Sequence, residues 1–188
     1  ANGSEETAFY RHLRLLALNE VGGDPARFGI GIQDFHERMG ARQTEWPHSM
    51  LTTSTHDTKR SEDVRARLAV LSEIPNDWIS ATLRWRETAT AIRARAPIDL
   101  HDEYLLFQTM VGAWPIEKER VIAYMLKAAR EAKRRTSWID QNAAYERALT
   151  AFINQLYADD SLMADIGAFA GRLTYPGHIN SLAQTLLK

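Results

Sequence analysis

At 188 residues, with 45% hydrophobic and 25% charged side chains, the chain has the makeup of one ordinary globular domain and not of a disordered segment. A net charge of −1 leaves no long-range field to gather nucleic acid or an anionic membrane, and no apolar run approaches the roughly 20 residues that span a bilayer. Cysteine is absent, which removes disulfides and thiolate metal sites and suits a cytoplasmic setting.

Helical signals dominate from the start. Ser4 is a candidate N-cap, followed by Glu5 and Glu6, and Phe9, Leu13 and Leu16 recur at helical spacing until Gly22-Gly23-Asp24-Pro25. A short helix is predicted from Gln33 to Arg42, and Trp46-Pro47 breaks it. Residues 50–55, Met-Leu-Thr-Thr-Ser-Thr, lack helical periodicity and read as a short strand. Helices resume at Ser61, where Glu62 and Asp63 suit a first turn and Val64, Leu68 and Leu71 mark one face. Further helices are predicted from Asp77 to Arg95, His101 to Ala113 and Ile116 to Arg135. Tyr145, Leu149, Phe152 and Leu156 form a stripe that requires a packing partner, and two last helices are expected near Leu162 to Arg172 and His178 to Leu187. The opening directly into a helical pattern, without the basic-then-apolar pattern of a signal peptide, and the stop at Leu186-Leu187-Lys188 inside another helix predict a piece cut from a longer chain.

The chemistry concentrates in Thr55-His56-Asp57-Thr58-Lys59-Arg60, between the expected strand and a helix start. From the residues alone, Asp57 caps a turn and Lys59, Arg60, Glu62 and Asp63 are a solvated helix start. A strand-to-helix loop is also where barrel enzymes place catalytic groups, so both readings stand.

The stretch Ser54 to Arg65 (STHDTKRSEDVR) resembles the signature of maltooligosyltrehalose synthases, a branch of the α-amylase superfamily. So do Glu6 to Arg11, Leu18 to Pro25, Trp46-Pro47-His48, Asp102 to Leu105, Val111 to Pro115, Tyr124 to Glu131 and Asn180-Ser181-Leu182, in the same order along the chain. The first six residues depart from the family pattern. The resemblance implies an enzyme that moves the terminal α-1,4 linkage of a maltooligosaccharide to an α,α-1,1 linkage. It does so through a nucleophilic aspartate, a glutamate acid/base and a second aspartate. His56-Asp57 matches the pair after the seventh barrel strand, which implies Asp57 as that third carboxylate and His56 as a donor to the same sugar. Lys59 and Arg60 are either contacts to the acceptor-side sugar or surface charge at a helix start.

The fold class that follows is mainly α: a helical bundle, taken as an insertion domain, with one short strand derived from a (β/α)₈ barrel. Residues 1–61 would be barrel-derived helices, strand and catalytic loop, residues 62–175 the helical insertion, and residues 176–188 a truncated barrel-derived helix. The nucleophile and general acid lie on earlier strands, so the isolated chain is expected to be inactive. The alternative is a non-catalytic helical module that binds a protein partner or an oligosaccharide. An orphaned strand and the apolar surface beside it predict dimerisation of the isolated chain by exchange of elements. No cofactor, nucleic-acid or membrane partner is called for. Six scattered histidines show no metal-ligand spacing. Trp46, Trp78, Trp85, Trp114 and Trp138 read as core aromatics rather than sugar platforms. The run Arg130, Lys133, Arg134, Arg135 reads as a helix end facing water. Gly22-Gly23 is no phosphate loop, since no strand precedes it.

Overall fold

Along residues 2–188, which the computed structural model describes, nine α-helices follow one another. They are α1 (Asn2–Arg11), α2 (Ile32–Glu45), α3 (Glu62–Ala69), α4 (Pro75–Thr88), α5 (Thr90–Arg95), α6 (Leu100–Ala113), α7 (Lys118–Ala132), α8 (Ala143–Tyr157) and α9 (Asp160–Leu187). Short 3₁₀ turns stand at Leu16–Leu18 and Val70–Ser72. The mainly α bundle expected from the sequence is what forms. No described helix is long and apolar enough to cross a membrane.

The centre of the bundle is α6. It carries apolar residues all round, as a helix enclosed on every side must, and buries Leu105, Leu106, Phe107, Met110 and Val111. Helices α3, α7 and α9 pack around it. Close approach to α3 needs Gly112, where a Cβ would stand 2.9 Å from Leu68 Cγ. Four polar residues are buried on the same helix, and each has partners, as burial demands; the Thr109 hydroxyl donates to the Leu105 carbonyl at 2.8 Å. Asp102 accepts from the Tyr145 hydroxyl, and Glu103 pairs with Arg93. Burial pushes the Glu103 carboxyl up against the pull of Arg93 and Arg86. Gln108 Nε2 donates to the Leu13 carbonyl and its Oε1 accepts from the Leu16 amide, both at 2.9 Å.

That last pair explains a departure from the expected first helix. The pattern Phe9, Leu13, Leu16 is apolar at helical spacing, yet α1 ends at Arg11. Gln108 takes the Leu13 carbonyl and the Leu16 amide that a continuing helix would use internally. All three apolar side chains are still buried, the last from a 3₁₀ turn. Ser4 lies inside α1 and is not its cap.

Trp78 and Trp85 on α4 are core, as expected. Their rings meet edge-on at 5.8 Å, and Trp85 also meets Phe107 and Phe169 at 5.5 Å each. Asp165 accepts from Trp85 Nε1 at 2.8 Å and from Arg84 at 2.8 and 2.9 Å. Trp114, half-buried after α6, also packs against the core. Trp46 and Trp138 correct the expectation: Trp46 is exposed beyond the end of α2, and Trp138 lies exposed in a loop with Arg130 4.9 Å above its ring. Neither sits on a helix face turned to the core, which is what buries an indole.

The strand expected at residues 50–55 does not form, because no described strand is present to pair with it. Local side-chain bonds occupy that backbone instead: Thr52 Oγ1 donates to the Ser54 carbonyl at 2.7 Å, and Arg65 to the Thr53 carbonyl. The two helices expected after residue 160 are one. Pro176 lies inside α9, and the helix beyond it is held to α3 by Asn180 Nδ2 on the Ala66 carbonyl at 3.1 Å and Ser181 Oγ on Asp63 at 2.7 Å. Tertiary anchorage here outweighs the helix-breaking tendency of proline. The basic run is also not simply solvated: Arg130 pairs with Glu146 at 2.6 Å, and Arg134 and Arg135 reach Asp99, the N-cap of α6, at 3.3 and 3.2 Å.

Trp85→Ala is expected to cost about 3–5 kcal/mol, since it removes a fully buried indole and leaves Asp165 short of a donor. Urea unfolding followed by circular dichroism measures it. A cost below about 1 kcal/mol would place the core elsewhere.

Candidate functional site

The loop from Thr55 to Ser61 follows the irregular 50–55 segment and enters α3, whose first turn holds Glu62 and Asp63. Thr55 shapes it: its carbonyl accepts from the Thr58 amide and hydroxyl at 3.3 and 2.7 Å, and its hydroxyl from the Asp57 amide at 3.2 Å. This turn carries His56 and Asp57 at its apex. Their side chains are 91% and 65% exposed, with His56 Nε2 3.4 Å from the Asp57 carboxylate.

The next two residues are held quite differently. Lys59 is only 13% exposed, and its ammonium stands 2.9 Å from Glu6 on α1. Arg60 is buried at 9% exposure: Nη2 donates to the Tyr124 hydroxyl on α7 at 2.7 Å and Nη1 to the Asn19 carbonyl at 3.4 Å. A solvated helix start is therefore not what these two residues form. Their chemistry turns inward, while that of His56 and Asp57 turns outward.

His56, Asp57 and Lys59 line a pocket of about 220 Å³ together with Glu6, Tyr10, Tyr124 and Lys127. Three segments far apart in sequence meet there: α1, the loop and α7. The walls are mixed. The hydrogen bond and charge of Lys59 hold the Glu6 carboxyl below the usual carboxylate range. Burial pushes the Tyr10 phenol up, so it stays protonated as a neutral wall. A pocket of hydroxyl, carboxylate and ammonium groups on aromatic walls can hold a polyhydroxylated ligand. Among the described residues no group of three or more histidine, aspartate or glutamate side chains is placed to hold a metal ion.

His56, Asp57, Lys59 and Arg60, the candidates legible in the sequence, are neighbours in the fold as in the chain. Glu6, Tyr124, Asn19 and Glu20, which meet them from other segments, were not among those candidates. Asn19 and Glu20 are both buried in the turn after α1. Asn19 Nδ2 donates to the Phe9 carbonyl at 2.7 Å and to the His12 carbonyl, closing the end of α1. The available signal was a polar pair just ahead of Gly22-Gly23, where the chain was expected to turn.

No family model matches the chain. A Mycobacterium tuberculosis protein assigned as a maltooligosyl trehalose synthase is 40% identical over the whole of this chain, which covers 24% of it. Among solved structures, a glycosyltrehalose synthase superposes with a TM-score of 0.91 at 41% identity, over 98% of this chain and 25% of its own. A maltooligosyltrehalose synthase from Arthrobacter ramosus does so with a TM-score of 0.82 at 42% identity, over 97% of this chain and 23% of its own. The chain thus spans about a quarter of the length of the relatives it matches.

The Glu6–Lys59 pair sets a pH test. A carboxyl whose pKa is lowered by folding adds stability that is present above its ordinary value and lost as pH falls through the folded one. The contribution is complete at neutral pH and disappears on acidification below the ordinary value of 4.5. Lys59→Met is expected to lower the melting midpoint at neutral pH, with the gap to the parent chain closing as the solution is acidified. Melting curves across a pH series check this, and a gap independent of pH would show that the pair does not contribute.

Proposed function

We propose that this chain, which corresponds over its whole length to about a quarter of a maltooligosyltrehalose synthase, supplies such an enzyme with one of its three catalytic carboxylates, Asp57. The enzyme is an isomerase: an intramolecular transglycosylase that turns the terminal α-1,4 linkage of a maltooligosaccharide into α,α-1,1. The likeness running along the entire chain supports this and does not favour a free-standing helical binding module. The observation that carries the site assignment is the contrast within the loop. Arg60 is taken up by protein partners and Lys59 is tethered to Glu6 at the pocket wall, while His56 and Asp57 are presented at the mouth of a polar pocket.

On this proposal Asp57 accepts hydrogen bonds from hydroxyls of the sugar whose ring flattens and gathers positive charge, which favours the transition state over the ground state. His56, 3.4 Å from it, donates to the same sugar. Lys59, tethered to Glu6 at the pocket wall, meets the acceptor-side sugar. Arg60 contributes through the position of the loop, its guanidinium being taken up by Asn19 and Tyr124. The nucleophile and the general acid come from other parts of the longer protein. They would stand roughly 5–5.5 Å apart, as retention requires. The freed sugar must recapture the glycosyl group before water does, so the pocket has to close around it.

Residues 62–175 then form the helical insertion, with residues 1–61 and 176–188 turned to the barrel. Exposed apolar side chains are denser on those flanks, with Phe28, Ile30, Ile32 and Met50 on one and Ile179, Leu182 and Leu186 on the other, than on the longer middle part, where Ile79, Leu83 and Ile139 are among those exposed. Apolar surface of this kind is normally covered.

In the full-length synthase, Asp57→Asn is expected to lower kcat on the order of 10²–10³-fold, with the circular dichroism spectrum unchanged. Near-normal formation of maltooligosyltrehalose would overturn the assignment of Asp57. The 188-residue chain by itself is expected to give no turnover of maltopentaose, because one carboxylate cannot run a double displacement. Any sustained turnover by the pure chain would mean that a complete site lies within it.

A further inference from the structure

The exposed apex of the loop has to be held still by something that is not exposed. Beneath it lies Glu20, a buried carboxylate on the turn after α1. Its Oε1 accepts from the Lys59 amide at 2.7 Å, and its Oε2 from the Arg60 amide at 3.2 Å, across 39 and 40 residues of sequence. Oε1 also accepts from the neighbouring Val21 amide at 3.0 Å, which orients the carboxylate. Arg65 Nε stands 3.8 Å from Oε2 and supplies the countercharge. Few other arrangements would satisfy two consecutive amides of a loop with one side chain. A carboxylate does so because it is acceptor-only, with four lone-pair sites, and a charged acceptor makes stronger bonds than a neutral one.

We propose that Glu20 is the positioning residue of the His56–Asp57 loop: by clamping the two amides that follow the apex, it sets where the Asp57 carboxylate stands toward a bound sugar. This rests on Asp57 being the carboxylate proposed above. The clamp is two residues from Asp57, so a rigid connection of two peptide units transmits its position. Asn19 fixes the turn that carries Glu20 by binding the carbonyls at the end of α1, and Arg60 ties the loop's far side to Tyr124 on α7. Glu20 is buried and is not among the residues that line the pocket. Its influence on the reaction runs wholly through backbone geometry.

The test is Glu20→Gln in the full-length synthase, with Glu20→Asp and Asp57→Asn beside it. Glutamine keeps the shape but turns one acceptor into a donor, so one of the two loop amides faces an N–H instead of an oxygen. Aspartate keeps the charge and withdraws it by one methylene. In Glu20→Gln, kcat is expected to fall by about 10- to 100-fold with KM within about twofold, because misplacement by a fraction of an ångström to 1 Å acts on the chemical step. Deuterium exchange of residues 55–61 should accelerate while the rest of the chain and the melting midpoint hold, and Glu20→Asp should fall between. Unchanged kcat in Glu20→Gln, with Asp57→Asn inactive, overturns the positioning role alone. Full activity of Asp57→Asn overturns the assignment of Asp57 and the positioning role with it. Loss of folding in both Glu20 variants assigns Glu20 to stability and also overturns the proposal.

Discussion

Everything in this bundle is arranged around the need to surround α6 and satisfy the polar groups it takes inside. A helix with apolar residues on every face has no solvent side, so neighbours must cover it completely. Asp102, Glu103 and Gln108 then become buried polar groups, whose cost is removed only by specific partners. Tyr145 on α8 serves Asp102, Arg93 on α5 serves Glu103, and the backbone after α1 serves Gln108. Three segments, two of them distant in sequence, are thereby placed against one helix. Burial and the charge of Asp102 hold the Tyr145 phenol well above its ordinary range, so its proton stays in place to be donated.

The loop with His56 and Asp57 is a consequence of that arrangement. Gln108 stops α1 from running on, which leaves a turn at Leu16–Glu20 lying under the loop. Asn19 and Glu20 sit in that turn, bonded to α1 on one side and to the loop on the other. From below, α7 adds Tyr124. The helical bundle is therefore more than a spacer: it is the rigid ground against which a short, irregular loop is held. A loop of this kind, with two exposed residues at its apex and buried charge just behind, combines presentation with immobility, which catalysis requires of a positioned group.

Much of the fold was legible in the sequence because most of it is set by short-range pattern. The stripe Tyr145, Leu149, Phe152, Leu156 marks α8, and Ser61 with Glu62 and Asp63 marks α3. Where the pattern misled, a long-range contact had overruled it. Leu13 and Leu16 keep helical spacing but leave the helix for Gln108. Pro176 reads as a boundary but is carried through, because Asn180 and Ser181 hold the helix to α3. Residues 50–55 have the composition of a strand, yet a strand is a property of a pair and no described partner exists.

For the site the division is sharper. The residue types and spacing of His56, Asp57, Lys59 and Arg60 are facts of the chain, and by themselves they marked where chemistry would concentrate. That Lys59 and Arg60 point inward while His56 and Asp57 point outward could not be read from four adjacent polar residues. Direction depends on Glu6, Asn19, Glu20 and Tyr124, which lie 39 to 64 residues away along the chain from the residues they hold and arrive only when α1 and α7 pack. The sequence by itself determined the helices, their apolar faces and the candidate loop, because those follow from local spacing and side-chain chemistry. Only the tertiary structure decided which charges are buried and paired and which are left to meet a ligand, because burial and pairing are properties of segments that meet in space.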